Sequence, residues 1–183
     1  MLPEVAVIYG ETTVELRFFE IYRSSEYLLL LAEGILTSAA LTVSAGIMGF
    51  VLAILLASAR HHRWPVLEQL SATFIEFVRN TPLIVQLFFV AFGLPLLLGY
   101  QWAFWAHALL ALIINFSAYF AEILRSGFLS VPVGQLEAAK TLGIPRFIAF
   151  WKILLPQAVA TMYPSLSSQF IFLFLTTGVI AEI

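Results

Sequence analysis

Long apolar stretches alternate with short polar ones along the chain, and their lengths suit a lipid bilayer. From Ile35 to Ser58 no charged residue interrupts 24 positions, which as a helix extend about 36 Å. About 20 apolar residues suffice to cross the hydrocarbon core. Further spans are predicted from Pro82 to Leu98, from Trp102 to Phe120, and from Ala158 to Ile180, the last entered through Tyr163-Pro164. Leu67, Leu70, Phe74, Ile75, Phe77 and Val78 recur at helical spacing, which predicts an amphipathic helix lying along or against the membrane. The fold class read from this pattern is an all-α integral membrane protein with about four spans.

Local signals sharpen the boundaries. Ala45-Gly46 and Gly49 let another helix approach the first span closely. Thr81 is placed to cap the second span, with Pro82 at its first position, where the missing N–H leaves no bond unmade. Gly93 and Pro95 are expected to bend or loosen its far end. Gly99-Tyr100-Gln101 reads as a tight turn, flanked by Tyr100, Trp102 and Trp105 at headgroup depth.

Composition agrees with a lipid solvent. Of 183 residues, 61% are hydrophobic and 11% charged, where a soluble domain carries about 25% charged residues. There is no cysteine, so disulfide and thiolate chemistry are excluded, and all 11 acids are glutamates. With three scattered histidines, few routes remain to a metal or hydrolytic centre. A formal net charge of −2 argues against nucleic acid as a partner. The acidic start lacks the basic n-region of a secretory signal, so residues 1–32 are expected to be a short extracytoplasmic segment.

The distribution of cations orients the chain. Arg60, Arg63 and Arg79 lie in the first polar connection, and Arg125, Lys140, Arg146 and Lys152 in the segment Glu122–Pro156, whereas the Gly99–Gln101 turn has none. Positive loops face the cytoplasm, so the N-terminus is expected outside. Glu33 and Glu182 are expected at the outer interface. Adjacent His61 and His62, beside arginines, read as a solvated loop rather than a metal site. Glu122 and Arg125, three residues apart, read as an ion pair on a helix face, and Arg79 as an interfacial anchor.

The segment Glu122–Pro156 carries the functional signal. Pro132-x-Gly134 breaks the chain, and Gln135–Leu142 reads as a short helix stopped by Gly143 as a C′ residue. Pro145 opens a second short helix that Pro156 is expected to end. Ala138 and Ala139 are expected to leave one side flat, suiting insertion into a partner's groove.

Glu137-Ala138-Ala139, then Gly143, then Ile153-x-Leu155-Pro156 is similar to E-A-A-x3-G-x9-I-x-L-P, the coupling motif of ABC importer permeases, with all seven specified residues in register. Arg79-Asn80-Thr81-Pro82-Leu83 with Gln86, Asn115-x-Ser117-Ala118-Tyr119-x-Ala121-Glu122-x-x-Arg125, and Ser168-Gln169-Phe170-Ile171 resemble the polar amino-acid branch of that family. The resemblance covers residues 33–183. It implies a type I importer domain over residues 33–183 with a coupling segment 122–156, and a fifth span beyond residue 183. It further implies a permease subunit that forms the path for a polar or charged amino acid. Its partners would be an ATP-binding subunit docked on the helix pair, a second permease, identical or similar, and an extracytoplasmic substrate-binding protein. The chain has no Gly-rich phosphate loop of the G-x4-G-K-[ST] kind, so ATP belongs to the partner and the chain itself binds no cofactor and is not an enzyme.

Two alternatives stay open on the residues. One is a permease for another small solute; the other is a secondary transporter without an ATPase, although such proteins often carry midplane charges and the spans here hold none. Gln86, Asn115, Ser117, Gln169, Thr176 and Thr177 are costly in lipid and should face protein or a water-filled path. Gln86, Asn115 and Gln169 are the candidates for lining a substrate path, with helix–helix hydrogen bonding the competing reading.

Overall fold

The computed structural model describes residues 25–180. The described chain divides into two units between Thr37 and Ser38. Of the first, the described part is Ser25–Thr37, the opening turns of helix α1; most of the expected extracytoplasmic segment, and Glu182, lie outside the described residues. The described chain is helical: α1 (Ser25–His61), α2 (Pro65–Arg79), α3 (Leu83–Leu98), α4 (Phe104–Ser130), α5 (Val133–Thr141), α6 (Arg146–Thr161) and α7 (Tyr163–Ile180). Two helices, α1 and α4, are long and apolar enough to cross a membrane, or four spans if each bent pair counts as one.

Helix α4 is the centre of the second unit, packing against α2, α3, α6 and α7. It presents Leu112, Phe116, Phe120 and Leu124, all fully buried, to these neighbours. The facing part of α1 shows how size, not polarity, selects its packed side. Ala45, Gly49, Ala53 and Ala57 form one buried ridge at four-residue spacing, while Val43, Ile47, Val51 and Leu55 form an exposed ridge of bulky groups. Small residues let backbones meet, and the bulky ones suit hydrocarbon. A Cβ on Gly49 would sit 3.5 Å from the Ser117 backbone nitrogen, and the Phe50 and Phe120 rings meet edge to face at 5.8 Å. The close approach expected from Ala45-Gly46 and Gly49 is therefore present. A second close approach joins α4 to α6, where a Cβ on Gly127 would lie 3.0 Å from the Ala158 carbonyl oxygen and 2.9 Å from Met162 Cγ.

One proline acts differently from the expectation. Pro156 does not end the second helix of the coupling segment; α6 runs through it to Thr161. A π-helical turn, Phe150–Leu154, precedes it, in which the Leu155 N–H reaches back five residues to the Phe150 carbonyl. A π-turn, Phe89–Gly93, stands in the same relation to Pro95, with the Leu94 N–H on the Phe89 carbonyl. Proline lacks an N–H and its ring clashes with the carbonyl four residues back; the extra residue in the turn moves that carbonyl aside. The loosening expected at Gly93 and Pro95 thus takes this form. The true break before the last span is at Met162, where α6 and α7 bend by 68°.

Two other boundaries differ. Pro82, not Thr81, is the N-cap residue of α3, and the Thr81 hydroxyl turns backward to the carbonyls of Phe77 and Val78, each at 3.1 Å, closing the end of α2. Helix α2 then meets α3 at a bend of 107°. Ser71, Ile75 and Val78 turn inward onto α4, while Leu67, Leu70 and Phe77 of the expected apolar face stay exposed. Helix α4 also continues past Phe120 to Ser130, because Glu122 and Arg125 neutralise each other on its surface and nothing in that stretch breaks a helix.

Candidate functional site

The segment Glu122–Pro156 is built around a glycine turn. Helix α5 ends with Leu142 as its C-cap, and Gly143 follows at φ +72°, the left-handed region that glycine enters without a Cβ clash. The Gly143 N–H donates to the Lys140 carbonyl at 3.1 Å and the Ile144 N–H to the Ala139 carbonyl at 2.9 Å. These two bonds are a Schellman closure. Pro145 then caps α6. Leu142 and Phe147, flanking the turn, are 77% and 72% exposed, so the apex is apolar and open. Such an apex is costly in water unless a partner covers it.

The motif residues divide into two groups. Glu137, Ala138 and Pro156 lie on the surface; Ile153 is half-buried; Ala139 and Leu155 are buried within the chain. The flat side expected from both alanines is supplied by Ala138 alone. Neighbouring residues on a helix point about 100° apart, and Ala139 is the one turned inward. Gln157 Nε2 donates to Gln135 Oε1 and to the Ile153 carbonyl, pinning α5 to α6.

A second feature lies at the α2–α3 bend. Arg79, Asn80, Thr81, Asn115, Tyr119 and Thr176 contribute polar groups to a cavity of about 490 Å³, with Phe172 as part of its apolar wall. The Arg79 guanidinium sits 5.6 Å from the centroid of the Tyr119 ring, a cation–π contact that holds it at the cavity wall. Of the three candidate path residues, Asn115 lines this cavity. Gln86 stands behind it: Asn115 Nδ2 donates to Gln86 Oε1 at 3.2 Å, and Gln86 Nε2 donates to the Val78 carbonyl and the Thr81 hydroxyl, each at 2.7 Å. Gln169 is half-buried on α7, one turn before Phe172, and is not part of the cavity wall. The buried hydroxyls bond to their own helix instead. Ser117 donates to the Ile114 carbonyl, Thr176 to Phe172 and Thr177 to Phe174, at 2.8, 2.5 and 2.7 Å.

Charged groups gather below the spans. The Glu122–Arg125 pair is present, with Arg125 Nε 2.9 Å from Glu122 Oε1. The sequence did not show its third member: Arg60 from the end of α1 donates through Nη1 to Glu122 Oε2 at 3.1 Å. Pairings 62 residues apart leave no local periodicity by which to find them. His61 and His62 are not simply solvated. The His61 ring lies 5.4 Å from Phe128 and the His62 ring 5.3 Å from Phe150. Among the described residues no group of three or more His, Cys, Asp or Glu is arranged to hold a metal ion.

Bent helix pairs around a central span, a polar cavity at one bend and an exposed helical turn below define a membrane transport component. A family model described as "Binding-protein-dependent transport system inner membrane component" matches residues 49–183, and the chain belongs to this family. Among curated relatives, a putative glutamine transport system permease protein of Rickettsia bellii is 32% identical over 164 residues, covering 90% of this chain and 75% of its own length. A probable glutamine ABC transporter permease protein of Bacillus subtilis is 37% identical over 155 residues, covering 85% and 71%. An octopine transport system permease protein of Rhizobium meliloti is 36% identical over 167 residues, covering 86% and 68%. Among solved structures, a crystal structure of an amino acid ABC transporter with histidines matches with a TM-score of 0.79 at 29% identity, over 92% of this chain and 77% of that one. An inward-facing methionine ABC transporter matches in fold with a TM-score of 0.72 at 20% identity, over 85% and 75%. The resemblance drawn from the coupling motif and the all-α membrane fold are both borne out.

Proposed function

We propose that this chain is the permease subunit of an ABC importer for a polar or charged amino acid. The observation that carries the substrate reading is the cavity at the α2–α3 bend, where a fixed cation, Arg79, stands near the amides of Asn80 and Asn115. A guanidinium suits a carboxylate, and neutral amides bond polar groups without the solvation cost of further buried charge. Asn115 is the path residue in this reading, Gln86 braces it, and Gln169 borders the same face of α7. The names of the curated relatives point to the same solute class.

In this reading the Glu137–Pro156 segment docks on an ATP-hydrolysing partner. Glu137 and Ala138 meet that subunit, while Ala139, Gly143, Ile153, Leu155 and Pro156 shape the helix pair. Leu142 and Phe147 supply apolar surface that docking covers. The chain itself is no enzyme and holds no cofactor; ATP is used by the partner. A second permease, identical or similar, completes the path, and an extracytoplasmic binding protein delivers the solute. Residues 33–183 are the transmembrane domain, 122–156 the coupling segment, and the N-terminus faces outside the inner membrane, by the placement of the basic loops.

The test is uptake in proteoliposomes holding the assembled transporter, with binding protein outside and ATP inside. Labelled amino acids should accumulate, and Arg79→Gln should weaken uptake without loss of assembly. Uptake of a sugar or metal ion in place of any amino acid would overturn the assignment.

A further inference from the structure

A second cavity, of about 380 Å³, opens between the end of α1 and the α5–α6 pair; of its wall the transport reading assigns a role to Glu137 alone, at the edge that meets the partner. Three permanent cations line it: Arg63, Lys140 and Arg146. Among the described residues none of the three takes part in an ion pair or a side-chain hydrogen bond. Arg60 and Arg125, by contrast, are bound to Glu122, and Arg79 lies over Tyr119. Glu137 is the single carboxylate in the wall, so the lining keeps a positive surplus. The three cations are themselves exposed at the rim of the hollow, and like charges around one cleft favour an anion between them.

Two further features mark a formed site. Arg63 has φ +52°, a backbone region that side-chain-bearing residues rarely adopt, and this turn carries its side chain to the cavity wall. The histidine rings are held in place: His62 Nδ1 donates to the Ser58 carbonyl at 2.9 Å, and both rings contact phenylalanines. The rest of the wall is apolar, made by Leu136, Ile144, Phe150 and Leu154. A cationic rim over an apolar wall, at the end of a membrane-crossing helix, matches a phosphodiester headgroup with its acyl chain attached. Basic pockets between helices on the cytoplasmic side bind such headgroups.

We infer that this cavity binds the phosphate headgroup of an anionic phospholipid of the inner leaflet, tying the coupling pair to the membrane surface. The leaflet rests on the orientation given above; the binding itself does not depend on which solute is carried.

The experiment is mass spectrometry of the intact purified transporter, titrated with phosphatidylglycerol or with phosphatidylcholine. The wild type should retain phosphatidylglycerol selectively. Each surface cation adds roughly fivefold to the binding of an anionic lipid, so Arg63→Gln should weaken retention by about that factor. The combined Arg63→Gln, Lys140→Gln, Arg146→Gln variant should weaken it at least tenfold, and Lys152→Gln, outside the cavity, should leave it unchanged. The same spectra report subunit stoichiometry, so a failure of ATPase docking is seen separately from a loss of lipid. Equal retention of both lipids, or unchanged retention in the assembled Arg63→Gln and combined variants, overturns the proposal. So does binding of added inorganic phosphate that displaces the lipid at equal concentration, which would make the site one for a free anion.

Discussion

Arg60 and Glu122 stand 3.1 Å apart at the base of the helix bundle, the end of α1 held to the middle of α4. Both side chains are 22% exposed, and Glu122 holds Arg125 as well. Replacing Glu122 by Gln leaves two arginines facing each other in a half-buried place. The expected loss is about 1–3 kcal/mol, less than a fully buried pair because solvent still reaches the group. Thermal unfolding of the purified transporter should fall by several degrees, and Arg60→Gln combined with Glu122→Gln should recover part of that loss. A double variant as unstable as the two single losses added together would show that the residues do not interact.

Gly127 sets the approach of α6 to α4. An alanine Cβ there would meet a backbone oxygen at 3.0 Å, and a backbone atom cannot step aside as a side chain can. Overpacking of this kind costs about 1–3 kcal/mol. Gly127→Ala is therefore expected to reduce stability in detergent, with Gly127→Leu worse, while Gly134→Ala, which has open space around it, changes little. Equal melting temperatures for Gly127→Ala and Gly134→Ala would contradict the packing described.

Gly143 acts through its backbone. At φ +72° any other residue bears about 1–2 kcal/mol of strain, although space for a side chain is open. Gly143→Trp should insert in the membrane normally, yet ATP hydrolysis by the partner should lose its response to the loaded binding protein. Glu137→Lys should lose it too, by reversing a charge on the docking surface without touching the turn. Full stimulation and full uptake in both variants would remove the coupling role.

Asn115 and Gln86 give a test of the path. Asn115→Leu removes a donor from the cavity wall and leaves Gln86 Oε1 unpaired. The loss of one such bond to a solute is about 1 kcal/mol, so KM for uptake should rise roughly five- to tenfold with a smaller change in maximal rate. Gln169→Leu, outside the cavity wall, should have the smaller effect. The reverse order would move the path toward α7.

Orientation is tested by labelling. A cysteine at Gln135 should react with an impermeant reagent only from the cytoplasmic side, and one at Gln101, in the exposed turn between α3 and α4, only from outside. Reaction of position 135 in intact cells would invert the topology.

What the sequence determined was the solvent and the local geometry. Uncharged runs of span length can lie only in lipid or in a protein core. Gly143 between two helix patterns permits little but a tight turn, and a seven-residue motif in register pointed to the family. The ion pair of Glu122 with Arg125 was legible because three-residue spacing on a helix puts the two side chains together. Tertiary structure alone decided what depends on distant neighbours. It brought Arg60 to Glu122 across 62 positions, and it turned Ala139 inward while leaving Ala138 out. It also placed Asn115 in a cavity wall with Gln86 behind it. Pro156 shows the same boundary within one helix. Proline forbids one hydrogen bond, which the sequence makes plain. Whether the helix stops or widens into a π-turn depends on what packing gains from continuing it, and here Leu154, Leu155 and Ala158, buried around the proline, make continuation the more stable outcome.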